Sequence, residues 1–158
     1  MATFVETYCA VVAPMDCDHL GHMNVQHYFA AVSDGMFSMM ARLGLSPDEI
    51  RRSRRSFAVV HAETDFHAEL RAGDVIVLES TIAKIGEKSV TFQHRLKNAT
   101  TGVVAMSTDF TCVYFDLEAR RAATVTADVR AAAAMFIGEG AKSASCAKGE
   151  GSTHHDQK

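Results

Sequence analysis

A long segment of helical hydrophobic period gives way, after Gly44 and Pro47, to four successive segments of period two, and this order restricts the fold more than any single residue. In the first segment Phe29, Val32, Met36, Met40 and Leu43 form one helical stripe. The opposite face carries Ala30, Ala31, Gly35 and Ser38. Small residues are expected where a helix lies on a close backbone, which offsets the ~1 kcal/mol that Gly35 costs inside a helix. The helix should therefore be mostly enclosed, with the methionines Met36, Met39 and Met40 serving as adaptable core.

The period-two segments follow in order. Phe57 to Phe66 reads as a strand, and Arg71 to Asp74 as a turn. Val75 to Lys84 alternates with Ile76, Leu78 and Ile82 on one face. In Ser89 to Lys97, Val90, Phe92, His94 and Leu96 alternate with Thr91, Gln93, Arg95 and Lys97. Asn98 to Gly102 makes a hairpin, and Val104, Met106, Phe110, Cys112 and Tyr114 line one face of a long last strand. An earlier strand, Phe4 to Ala13, is stopped by Pro14. Thr126 to Ile137 is a short Ala-rich helix, and residues 138–158, without periodicity, are expected to be a disordered tail in which His154 and His155 have no role. Strands joined by short links pair antiparallel, and one apolar helix supplies the second layer. The expectation is an α+β fold over residues 1–137: a sheet of about five antiparallel strands curled around one long central helix.

Composition narrows the function classes. The 158 residues are 47% hydrophobic and 22% charged, the balance of a globular domain. A net charge of -3 gives no pull toward nucleic acid, and no apolar run is long enough for a bilayer. The N-terminus carries Glu6 and lacks a basic start, so it reads poorly as a signal peptide. Cys9, Cys17, Cys112 and Cys146 show no metal spacing and fit free thiols in a cytoplasmic protein. The dense cationic run, Arg51, Arg52, Arg54 and Arg55, reads by default as a solvated face, although it could help to hold phosphate from a loop.

The chemistry-bearing window runs from Asp16 to Tyr28, with Asp18, His19, His22, Asn24 and His27 inside it. Zinc is disfavoured, because His19 and His22 precede the helix and no histidine pair shares a helical face. A second possibility uses the helix start, whose first N–H groups lack internal partners and suit a developing oxyanion. Gly21 lets Asp18 fold back toward those groups. The alternative is that Asp18 or Asn24 only caps the helix, which spacing alone favours. Tyr28 is a candidate lid for an adjoining pocket or a core aromatic. His61 and Glu63 can reach a site from a neighbouring strand or sit exposed on the sheet.

The pattern Asp16-x-Asp18-x-x-Gly21-His22-Met23-Asn24-x-x-x-Tyr28, followed by a long helix, resembles the motif of hot-dog-fold acyl-CoA thioesterases of the 4-hydroxybenzoyl-CoA thioesterase type. The similarity covers about Phe4 to Val125, with Arg71-x-Gly73-Asp74 and Lys88-Ser89 in the right order. The resemblance implies hydrolysis of a small or medium acyl-CoA, with Asp18 as nucleophile or general base. It implies oxyanion donors at the helix start, Val25 N–H being best placed with Asn24 nearby, while His22 and Asn24 shape the loop and Asp16 steadies it. Asp34 stands where relatives often carry an acidic residue, facing the acyl pocket or pairing with a buried cation. Lys88 stands where relatives place a cationic cluster for CoA, thinned here by Gly86 and Glu87. No cofactor is implied beyond the CoA of the substrate, and the family implies a homodimer or homotetramer with sites at the interface. Two competitors share the fold: a non-catalytic acyl-CoA-binding module, and an acyl-thioester hydratase or dehydratase, whose Asp/His context is not found here. Aromatic, short-chain, branched, cationic (such as betainyl) and medium-chain acyl groups all remain compatible.

Overall fold

In the computed structural model, which describes residues 3–137, the period-two segments pair in the order β1-β3-β4-β5-β2. These strands are β1 (Val5–Val11), β2 (Arg55–Phe66), β3 (Val75–Ile85), β4 (Ser89–Asn98) and β5 (Val104–Asp116), all antiparallel. A two-residue strand, β6 (Arg121–Ala122), adds to β5. The long helix α1 (Val25–Arg42) lies on the inner face of this curled sheet, as expected for a hot-dog fold. The helix α3 (Ala127–Ala134) leads to Ile137, which bridges Ile82 on the β3 edge beyond the end of β1. The segment around the arginine run, expected as a loop, contains a helix, α2 (Pro47–Ser53), capped by Ser46. The tail expected to be disordered lies outside the described residues, as do Cys146, His154 and His155.

Burial follows the sequence periods. Val90, Phe92, His94 and Leu96 of β4 are buried, while Thr91, Gln93, Arg95 and Lys97 form the outer row. The inner side chains meet Val32, Met36, Met39 and Met40 of α1. A fully buried large aliphatic side chain stabilises by roughly 1.5–3 kcal/mol, so this layer carries most of the fold. Gly35 sits where the helix approaches most closely: a Cβ there would stand 2.4 Å from Leu78 Cδ2 and 2.9 Å from Thr7 Oγ1. The helix is less enclosed than expected. Val25, Phe29 and Phe37, spaced along one side, are exposed next to the open edge of β2. No helix among the described residues is long and apolar enough to cross a membrane.

A polar row crosses the core. Ser80, His94, Thr108 and Thr64 are register partners across β3, β4, β5 and β2. Thr7 Oγ1 is 2.7 Å from Ser80 Oγ, which is 2.7 Å from His94 Nδ1. His94 Nε2 is buried without a partner among the described residues, and burial holds the ring's pKa down to about 4. Burial likewise pushes the Cys112 thiol up to about 12, so it is an inert core group.

Two outcomes follow. Gly35→Ala should lower stability by about 1–3 kcal/mol through overpacking against Leu78; an unchanged thermal midpoint would contradict the close approach. For His94 the folded pKa lies below the unfolded value of 6.5. The unfolded chain therefore takes up a proton first as pH falls, and stability is full above pH 6.5 and drains away toward pH 4. The loss is on the order of 3 kcal/mol. Denaturant melts of wild type and His94→Leu should diverge in that window, with the variant showing the flatter pH dependence.

Candidate active site at the start of the long helix

The window ahead of α1 folds into a small hairpin. Cys17 and Met23 form a bridge, Asp18 N–H donates to His22 O at 3.2 Å, and Gly21 N–H donates to Asp18 O at 3.0 Å. Gly21 has φ +79°, a turn conformation that glycine adopts without strain. Met23 N–H donates to Leu70 O at 2.7 Å, tying the hairpin to the chain between β2 and β3. Asp16 braces its base: the carboxylate accepts from Ala13 N–H at 2.8 Å and lies 3.5 Å from His27 Nδ1, and its carbonyl accepts from Asn24 N–H at 2.8 Å.

Asn24 joins the loop to the helix. Its Oδ1 accepts from Gln26 N–H at 3.1 Å, which caps α1, and its Nδ2 donates to Asp18 Oδ2 at 2.7 Å. Only one orientation of the amide satisfies both. Asp18 Oδ1 accepts from Leu20 N–H at 2.9 Å. These two bonds, the backbone one first and the Asn24 one second, hold the Asp18 carboxyl below its ordinary pKa, so it is an anion at neutral pH. The cap at Asn24 and the candidate carboxylate Asp18, alternatives on spacing alone, are thus parts of one hydrogen-bonded arrangement. Gln26 N–H is taken by the cap and His27 N–H by Asn24 O at 3.0 Å. Val25 N–H has no acceptor among the described residues and remains available at the positive end of the helix.

A cleft of about 390 Å³ opens beside that amide. His22, Met23, Val25 and Tyr28 line it from the hairpin and helix, and Phe66, His67, Ala68 and Glu69 from the end of β2 and the following chain. Tyr28 is buried and serves both core and cleft; its ring meets Phe66 edge-on at 5.3 Å, and its hydroxyl makes a long 3.5 Å bond to Ala68 O. Phe66, His67 and Glu69 were missed in the sequence. None carried a local signal: alternation counted from Phe57 would turn Phe66 outward, and His67 and Glu69 lie in irregular chain.

Other candidates lie elsewhere in the chain. Asp34 is exposed on the β1 side of α1, where, after burial, its charge is the next cause of the raised Tyr8 pKa. His61 and Glu63 pair in register with Thr111 and Asp109, on the outer face of the sheet. Lys88 is exposed in the β3–β4 turn, at the end of the sheet opposite the cleft. Arg51 pairs with Asp48, Arg52 with Glu49 and Arg55 with Asp116. Among the described residues no group of three His, Cys, Asp or Glu side chains is placed to hold a metal ion.

Residues 12–133 match the family model of the thioesterase-like superfamily, and the chain belongs to that family. Solved structures share the fold at low identity. A Staphylococcus aureus protein in complex with CoA aligns with a TM-score of 0.78 at 19% identity, over 86% of this chain and 85% of that one. A 1,4-dihydroxy-2-naphthoyl-CoA thioesterase from Synechocystis aligns at 0.70 and 20%, over 80% and 93%. A gentisyl-coenzyme A thioesterase aligns at 0.70 and 22%, over 79% and 97%.

Replacing Asn24 by alanine should remove the cap, costing about 1 kcal/mol of stability, and should raise the Asp18 pKa toward the ordinary carboxylate value. Carboxyl NMR titration of both proteins measures the shift; an Asp18 that titrates identically in each would contradict the coupling.

Proposed function

We propose that the chain is an acyl-CoA thioesterase, with Asp18 as its catalytic carboxylate and Val25 N–H as its oxyanion donor. The observation that carries this reading is the Asn24 amide, which ties an ionised Asp18 to the start of a helix whose first N–H is unused. A thioester carbonyl placed in the cleft would point its oxygen at Val25 N–H, where charge gathers in the tetrahedral state. Asp18 then either attacks the carbonyl carbon or takes a proton from an attacking water. In the first route the CoA thiolate leaves, and water hydrolyses the resulting mixed anhydride to the free acid. Both routes use the ionised form of Asp18, which its hydrogen bonds from Leu20 N–H and Asn24 Nδ2 favour.

The cleft's Tyr28 and Phe66 walls suit a small or medium acyl group with apolar or aromatic character. His22 serves as a loop and wall residue, since its carbonyl accepts from Asp18 N–H. The working unit in this reading is at least a homodimer formed through β2. Support comes from the open edge of that strand, with Val59, Val60 and Phe66 exposed, and from the adjoining exposed side of α1.

Thiol release from a panel of acyl-CoAs tests the activity. Asp18→Ala should reduce kcat by at least about 100-fold, comparable to loss of a principal catalytic group, without loss of fold by circular dichroism. Wild-type turnover in the variant would remove Asp18 from the role, and CoA binding without thiol release by the wild type would favour a binding module.

A further inference from the structure

The cleft holds no cation for the diphosphate and ribose phosphate of CoA. None of its lining residues is Lys or Arg, and nearby Arg71 pairs with Glu69. The cations lie at the other end of β2. Arg54 immediately precedes that strand, level with Leu117, and Lys88 flanks the same end of β5 from the opposite side, level with Tyr114, which by strand spacing and register puts their backbones about 14 Å apart.

Arg54 differs from the other arginines of its run. It is exposed and makes no ion pair among the described residues, whereas Arg51, Arg52 and Arg55 are each paired. Its backbone closes α2 in the left-handed region, at φ 57° and ψ 33°. Glycine fits this helix-ending position without strain, and a side-chain-bearing residue costs roughly 1 kcal/mol there. An unpaired guanidinium kept at a strained position points to use.

That use is not available within one chain. β2 has twelve residues, which at about 3.3 Å each separate its ends by over 30 Å, beyond the reach of any side chain. A second copy changes the geometry. The exposed side of α1 and the exposed inner residues of β2 lie on the same face, so both are covered together only if the two-fold axis runs normal to the sheet. Such an axis pairs β2 with its mate antiparallel. The start of each strand then lies beside the end of the other, where Phe66 and His67 line the cleft.

We infer that Arg54 of the partner subunit grips the phosphates of CoA bound at this chain's cleft, so that each active site is completed in trans. This rests on the acyl-CoA reading and assigns it a residue outside the single-chain cleft. The thinning of the β3–β4 turn to a lone Lys88 is then compensated by Arg54 at the same end of the sheet.

Arg54→Gly is the informative variant, because it removes the guanidinium while relieving the backbone. Its thermal midpoint should be unchanged or higher. Its KM for acyl-CoA should rise about tenfold, the loss of one charge-assisted contact, with kcat and the KM for the matching acyl-N-acetylcysteamine, which lacks phosphates, unchanged. Arg54→Lys should recover most of the affinity. In a purified mixed dimer of one Asp18→Ala chain with one Arg54→Gly chain, the surviving Asp18 faces an intact Arg54 and should show the wild-type KM. A raised KM there, an unchanged KM in the Arg54→Gly homodimer, or a monomeric wild type by sedimentation equilibrium would overturn the inference. If the wild type hydrolyses neither thioester, the hydrolase reading fails by itself. Calorimetric titration with CoA then decides the grip: weaker binding by Arg54→Gly upholds it and equal binding overturns it.

Discussion

One primary amide, that of Asn24, sets the geometry on which the candidate chemistry depends. Its oxygen closes the helix start and its nitrogen holds Asp18, so one side chain both caps the helix and places the carboxylate at its end. The helix in turn is fixed by packing: Gly35 lets it settle on Leu78 and Thr7, and its methionines fill the space over β3 and β4. Positioning precision at the loop is therefore inherited from the core. The Met23–Leu70 hydrogen bond completes the link by fastening the hairpin to the chain that forms the other cleft wall.

No lysine or arginine lines the cleft, and Arg71 beside it is paired with Glu69, whereas Arg54 and Lys88 at the other end of the sheet make no ion pair among the described residues. A polyanionic nucleotide at the cleft therefore finds no free cation within the same chain's lining. In the proposed dimer, antiparallel association through β2 would bring Arg54 of one subunit beside the cleft of the other and cover the apolar edge that a single chain leaves exposed.

Much of this was legible in the sequence because local rules decided it. Alternation in Ser89–Lys97 separated inner from outer residues of β4, and the small face of α1 marked a close approach, whereas Val25 was named through the family resemblance and not by spacing. The failures have physical causes. α2 is too short for its period to register, and the arginine run masked it. His61 and Glu63 lie exposed on the sheet, one of the two readings open for them, although alternation counted from Phe57 would place them on the inner face. A bulge between Val59 and His61 inserts one residue, inverts the parity and turns both outward, bringing Thr64 and Phe66 inward. Asp34 departs for a rotational reason, since its place on the helix turns it toward β1. His67 and Glu69 join the cleft through long-range packing that no local pattern records.

The most direct measurement is a crystal structure with an acyl-CoA analogue whose thioester sulfur is replaced by methylene, leaving an uncleavable ketone. The carbonyl oxygen should lie about 3 Å from Val25 N, with an Asp18 oxygen facing the carbonyl carbon. An analogue bound with its carbonyl away from the first turn of α1, or with Asp18 turned from it, would contradict the assignment.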